Sequence, residues 1–280
     1  MARTDTEEDR TAVTTRPVPS PYRTFLTEVV AVTEVTPGFR QVTVSGDHLA
    51  TFAPVGPDTF LYLLLPPPGR TELTIGTDFS WDAVPDMSEE DRPVGGYYTL
   101  RRWRPEAREI DFWGVVHEGA GPAGTWFETV APGAPVALWG PRTAFDPPAD
   151  TDGYLLVADE TGLPAVAVIL ETLSPDTPIV VLAEADTPEL APPLPEHPGA
   201  TVRWLFREGR DPGTTTLIGD AACTVTLPGE YPYVWGGGES RAMTAVRKHV
   251  RRGLGLAREQ VSLVAYWRHQ AHLDDPVDED

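Results

Sequence analysis

Thr24-Phe-Leu-Thr-Glu-Val-Val-Ala-Val-Thr-Glu-Val-Thr36 is dense in β-branched residues, and Gln41-Val-Thr-Val-Ser45 resumes the pattern after a Pro37-Gly38 turn. This predicts two antiparallel strands. Further strand-like runs cover 60–65, 97–101, 109–117 and 135–139, each set off by glycine or proline. So many short strands ahead of any long helical period predict a small antiparallel β-barrel. The stretch 66–92, with Trp81, Pro85 and Glu89-Glu90-Asp91, exceeds an ordinary hairpin connection and reads as a surface insertion or a lid.

Near residue 150 the pattern changes. Residues 154–158 are apolar throughout, as a strand covered on both faces must be, and they run into a helix over 162–171 with Pro164 in its first turn. Apolar strands follow over 179–183, 202–206, 233–235 and 261–265. A helix predicted over 239–254 carries Met243, Val246, Val250 and Leu254 at three- and four-residue spacing. Strand–helix alternation predicts an open parallel sheet. The expected organisation is a leader (1–21), a barrel domain (22–148), an α/β domain (149–270) and an acidic tail (271–280).

Composition narrows the function. In 280 residues, 42 acidic against 22 basic side chains leave a net charge of -20, which repels nucleic-acid phosphate and anionic membranes. No apolar run approaches the ~20 residues that span a bilayer, and the charged N-terminus does not resemble a signal peptide, so the expected location is the cytoplasm. The one cysteine, Cys223, excludes an intramolecular disulfide, a zinc cluster and a thiolate-ligated iron–sulfur centre, and it reads as a small buried hydrophobe. Any electrons must therefore ride on an organic cofactor or a partner. His269, His272, Asp274 and Asp275 read as a solvated chain end, and no metal site is expected. Hydrolase elbows, Walker loops and zinc-protease motifs are missing from the sequence.

Six motifs carry candidate chemistry. Tyr98-Thr99-x-Arg101 on a strand can stack on a ring, bond its polar edge and neutralise a phosphate. His117 precedes Gly121-Pro-Ala123-Gly124-Thr125-Trp126, a turn opening a short helix whose backbone N–H groups can hold a diphosphate, or which is simply a tight turn. Asp159-Glu-Thr161-Gly-Leu-Pro164 follows the first parallel strand, at the end where open sheets bind ligands, and Trp235-Gly-Gly-Gly-Glu239 repeats that arrangement later. Tyr266-Trp267-Arg268 closes the last strand, and Gly140-Pro-Arg142 closes the barrel.

In this order the motifs resemble the siderophore-interacting protein family, the flavin-dependent ferric-siderophore reductases with a ferredoxin-reductase-like layout, over about 23–269. The resemblance implies FAD at the barrel edge, with Tyr98 and Thr99 against the flavin, Arg101 on a phosphate, and His117, Gly121, Ala123, Gly124, Thr125 and Trp126 around the diphosphate. Asp159, Thr161 and Glu239 are implied near the nicotinamide of NADH or NADPH, with a ferredoxin as an alternative donor. Tyr62, Arg142, Trp267 and Arg268 are implied at the substrate, a ferric siderophore. Two positions depart from the pattern. Gly96 stands where the family ordinarily has an arginine, and Tyr62 where it commonly has a basic residue. These departures leave open a second reading, a family member diverted to natural-product biosynthesis as a flavin-dependent tailoring enzyme or a non-redox cyclase.

Overall fold

A computed structural model describes residues 22–117 and 121–270. The first half is a closed barrel of β1 (Arg23–Thr36), β2 (Phe39–Ser45), β3 (Phe60–Leu65), β4 (Val94–Arg104), β5 (Glu109–Val115) and β6 (Pro135–Arg142), in the order β1-β2-β5-β4-β3-β6. All its pairings are antiparallel. Alternate residues point inward, so Val42, Val44, Leu61, Leu63, Phe112 and Leu138 fill the interior. A short helix, α1 (Pro122–Thr129), plugs this core with Phe127 and packs on β4 and β5.

The second half is a parallel sheet of β7 (Gly153–Ala158), β8 (Ile179–Ala185), β9 (Ala200–Phe206), β10 (Pro232–Glu239) and β11 (Val261–Trp267), ordered β11-β10-β7-β8-β9. β7 is central and buried at every residue, which is why its sequence is uniformly apolar. Helix α2 (Leu163–Thr172) belongs to the core on one face. Helices α3 (Leu217–Ala222) and α4 (Ser240–Lys248) belong to the core on the other. The order reverses between β7 and β10, a switch point where open sheets take ligands.

Two sequence expectations need correction. The helix expected over 239–254 stops as α4 at Lys248, and His249–Gly253 continue as a wider turn closed by Leu254 N–H donating to the His249 carbonyl at 3.0 Å. The wider turn shifts the apolar phase, so Leu254 leaves the stripe and is exposed, while Met243, Val246 and Val250 stay buried. Cys223 is exposed, not buried, because it caps the short α3, which has no sequence periodicity of its own.

Polar contacts tie the halves together. Asp58, wholly buried before β3, accepts from Thr143 Oγ1 (2.5 Å), Ala144 N (3.0 Å) and the indole N–H of Trp235 (3.1 Å) on β10. Ser262 Oγ donates to the Ala144 carbonyl (2.6 Å), and Thr36 Oγ1 to that of Leu190 (2.9 Å).

Candidate functional site

β4 carries the centre of the site. Gly95 is obligatory there, because a Cβ would lie 1.7 Å from the Leu63 carbonyl oxygen. At Gly96 a Cβ would meet only Tyr98 Cε2 at 3.6 Å and Ala123 Cβ at 3.9 Å, ordinary contact distances. The next residues alternate. Tyr97 turns outward, whereas Tyr98 packs on Phe127 with ring centroids 4.6 Å apart. Burial, with Tyr62 adding to it, pushes the Tyr98 hydroxyl up to about 12. Thr99 is buried.

Beside this strand Gly121 caps α1 with open space around its Cα, and Pro122 takes the first helical position. The following N–H groups, Ala123 and Gly124, have no acceptor inside the helix. Trp126 packs edge-on against Phe127 at 5.1 Å, and His117 lies exposed at the exit of β5. From the other half, Tyr266 brings its hydroxyl beside Thr99, where it is buried without a well-formed hydrogen bond. Burial holds that hydroxyl above the ordinary tyrosine range. An orphaned hydroxyl next to Thr99, a tyrosine beside an unfilled glycine and a helix N-terminus adjoining it fit FAD, with its polar ring edge at Thr99 and its diphosphate at α1.

Arg101 sits differently from what its motif implies. The β4–β5 register slips between Leu100 and Arg102, leaving Arg101 as the extra residue of a bulge. A bulge re-aims its side chain, here onto α2. Its guanidinium bonds both carboxylate oxygens of Glu171 at 2.8 Å and stacks 4.5 Å from the Trp113 ring. The arginine is 8% exposed and Glu171 38%. Neither Glu171 nor Trp113 is suggested by any sequence motif. Arg92, another basic residue near Gly96 in sequence, bonds the carbonyls of Met87 and Pro85 in the 66–92 stretch.

At the sheet's carboxyl edge, Asp159 and Glu239 lie at the ends of β7 and β10, beside the switch point. Asp159 Oδ1 accepts from Thr161 N (2.9 Å) and Oγ1 (2.6 Å), and Oδ2 from Glu239 N (2.7 Å) and Trp267 Nε1 (2.8 Å). Four acceptor positions are thereby used, so this carboxylate braces three strand ends. Burial raises its pKa against the pull of those bonds. Glu239 caps α4 through Arg241 N (2.6 Å) and Ala242 N (3.2 Å), and also accepts from Ser240 Oγ and His269 N. The glycines before it serve the same packing: a Cβ on Gly237 would strike the Tyr266 ring, and one on Gly238 the Asp159 carboxylate, each at 2.7 Å. Arg268 follows directly, at the end of β11.

Next to this brace lies a cluster the motifs do not reveal. Arg207 pairs with Glu160 (2.6 Å) and Glu184 (3.4 Å), and Thr215 Oγ1 donates to Glu184 (3.1 Å). Burial, opposed by Arg207 and reinforced by Asp159, pushes the Glu160 carboxyl up to about 7; Glu184 is also raised, first by burial. A carboxyl whose pKa is higher folded than unfolded binds more protons in the native state, so its contribution to stability falls as pH rises through the interval between the two values. Thermal melts should therefore show stability lost from about pH 4.5 to 7, and Glu160→Gln should flatten that slope. An unchanged slope in the variant would assign it elsewhere.

The outer face of β3, β4 and β6 is a wall of rings. Tyr62 pairs across strands with Tyr97 and Trp139, and the Tyr62 and Tyr97 rings meet edge to face at 4.9 Å. The 66–92 stretch is docked here: Trp81, opening a short 3-10 turn (Trp81–Asp86), packs edge-on against Tyr62 (4.9 Å) and Trp139 (5.9 Å). Arg142 lies over Tyr22, Trp139 and Tyr97, at 4.5, 4.8 and 5.6 Å from their ring centres. Among the described residues no helix is long and apolar enough to cross a membrane, and no three His, Cys, Asp or Glu side chains cluster to hold a metal ion. His272, Asp274 and Asp275 lie outside the described residues.

A six-strand antiparallel barrel followed by a five-strand parallel sheet defines a ferredoxin-reductase-like architecture. Residues 28–145 match the profile of the siderophore-interacting FAD-binding domain and residues 151–270 that of the siderophore-interacting protein, so the chain belongs to the siderophore-interacting protein family. It is 31% identical to an uncharacterized protein of Mycobacterium tuberculosis, over 86% of this chain and 89% of that one. The ferric vibriobactin reductase ViuB of Vibrio cholerae is 25% identical, over 64% of this chain and 66% of ViuB. The crystal structure of a siderophore utilization protein from T. fusca superposes with a TM-score of 0.79 at 30% identity, covering 89% of this chain and 94% of that one. Membership makes this a siderophore-related protein of the flavin-reductase type.

Proposed function

We propose that the chain is a cytoplasmic FAD-dependent reductase that takes electrons from a nicotinamide dinucleotide and delivers them to the Fe(III) of a siderophore chelate. The observation that carries this reading is the fit of the β4–α1 cradle to FAD within a domain that matches a siderophore-interacting FAD-binding family. FAD, when bound, accepts two electrons as hydride and passes them on singly. The protein's part is placement. Tyr98 and Thr99 hold the ring, Tyr266 supplies a buried hydroxyl at its edge, and the turn from Gly121 to Thr125 receives the diphosphate. Iron leaves on reduction because Fe(II), softer and less charged, is poorly held by hard oxygen ligands.

The donor enters at the switch point. The reading takes NADH or NADPH as the donor, because the acids Asp159, Glu160 and Glu184 share that edge with Arg207, Arg241 and Arg268. Asp159 and Glu239 shape this edge, because bonding to a nicotinamide nucleotide would require displacing donors they already hold.

A second reading, non-redox or tailoring chemistry in natural-product biosynthesis, is favoured by one observation. With Gly96 lacking a side chain and Arg101 bound to Glu171, neither motif position offers a free guanidinium to the diphosphate. The visible absorption spectrum of the purified chain, taken before and after FAD addition and gel filtration, separates the two. Retained flavin that bleaches with NADH, followed by ferrous-chelator colour from a ferric siderophore, is the expected result. A chain that stays colourless after FAD addition overturns the reductase.

A further inference from the structure

We propose that two copies of this chain join through β9, pairing antiparallel about a two-fold axis at Trp204 so that their parallel sheets become one continuous sheet. This goes beyond the proposed function and does not rest on it. β9 pairs with β8 from Ala200 to Phe206 without a register shift and ends the sheet order, so among the described residues its outer side meets no strand. On its inner side Arg207 N–H donates to the Ala185 carbonyl, and the Gly199 carbonyl accepts from Ile179 N–H, both at 2.9 Å. Odd-numbered residues therefore face β8, and the N–H and C=O groups of Val202, Trp204 and Phe206 point outward. A regular edge of seven residues with no proline and no bulge is a template for a further strand.

The same three residues carry the apolar face of this edge. Their side chains, with Pro192, Pro193 and Pro195, line an open groove of about 520 Å³. The Trp204 and Phe206 rings lie parallel, 5.9 Å apart at 6°, as a flat platform, and Val202 is 36% exposed. Antiparallel pairing sets outward residues opposite outward residues, and charge chooses among the registers that do so. Val202 against Trp204 would put Arg203 directly opposite Arg203, and Trp204 against Phe206 would put Arg203 opposite Arg207; like charges so placed are destabilising. Val202 against Val202 runs Phe206 onto Pro198, which has no N–H to give. With Trp204 opposite Trp204, Val202 meets Phe206, Arg203 meets Leu205, and every outward group finds a partner. A two-fold axis there also brings Glu196, exposed just before β9, to the end at which the other copy exposes Arg210, once on each side. Chains of net charge -20 repel one another, but residues 197–207 hold no Asp or Glu, so two copies approach here with little repulsion.

Sedimentation equilibrium of the full chain from about 1 to 100 µM tests this, with a dimer of dissociation constant about 10 µM or tighter expected. Val202→Pro removes an N–H that faces outward and leaves the bonds to β8 intact, so it should raise that constant at least about thirtyfold. Val202→Lys keeps every backbone group and should act in the same direction, which covers the case of a proline variant whose melt shows it unfolded. Glu196→Arg should weaken the dimer about fivefold, and adding Arg210→Glu should restore it. Amide hydrogen exchange over 202–206 should slow as parent protein is concentrated and stay fast in a monomeric Val202 variant. A chain that is monomeric at about 100 µM overturns the proposal. So does a dimer that neither Val202 variant weakens, which would place the contact elsewhere. A charge exchange that fails to restore the dimer overturns the antiparallel register at Trp204.

Discussion

Gly96→Arg should bind FAD roughly ten- to a hundredfold more tightly than the parent chain, the effect of one charge-assisted contact worth about 1.5–3 kcal/mol. Space decides that this substitution is tolerated. The Cβ meets neighbours only at ordinary contact distances, and the backbone at position 96 is not in the left-handed region. Both contacts, Tyr98 and Ala123, border the proposed FAD cradle, so the new guanidinium is directed toward the helix that would hold the diphosphate. Fluorescence titration of apoprotein with FAD measures the effect. Unchanged affinity, with Gly96→Arg folded as judged by its melt, would mean that the diphosphate does not lie at α1.

The second large effect concerns the seam between the halves. Glu171→Ala removes the partner of a guanidinium that is almost wholly buried, and should lower unfolding free energy by about 2 kcal/mol. That figure lies below what a fully buried pair loses, because Glu171 itself is partly exposed to solvent screening. The double replacement Arg101→Met with Glu171→Met should recover most of the loss, since it leaves no orphaned charge. Urea unfolding of the three proteins checks this. If the double variant is as weak as the single one, the pair acts through geometry that methionine cannot replace.

Much of the architecture was legible in the sequence because the physics that writes it is local. β-branched runs mark β1 and β2, shorter apolar and aromatic runs set off by Gly and Pro mark β3 to β6, and the wholly apolar 154–158 reads as a strand covered on both faces. What escaped was set by long-range register. Arg101 looks like a phosphate ligand by its spacing from Tyr98, but a bulge, fixed by pairing with β5, turns it to Glu171 seventy positions away. The glycines at 236–238 suggest room for a nucleotide, yet Tyr266 and Asp159, arriving from elsewhere, fill that room. The Arg207 cluster was invisible because its acids and its base come from three different strand ends. The ring wall was half visible. Tyr62 and Arg142 were singled out only through the family resemblance, while the packing of Trp81 on Tyr62 and Trp139 depends on how a long connection folds back.

The ties across the two halves have a kinetic consequence. Asp58, Glu171, Ser262 and Thr36 each anchor one half to the other, so opening them like a jaw would cost several bonds at once. The gap between a group bound on β4 and one bound at the sheet edge is then fixed at folding. In the proposed reductase, where hydride passes between nicotinamide and flavin in contact, that spacing would be set by the fold and not by a closing motion.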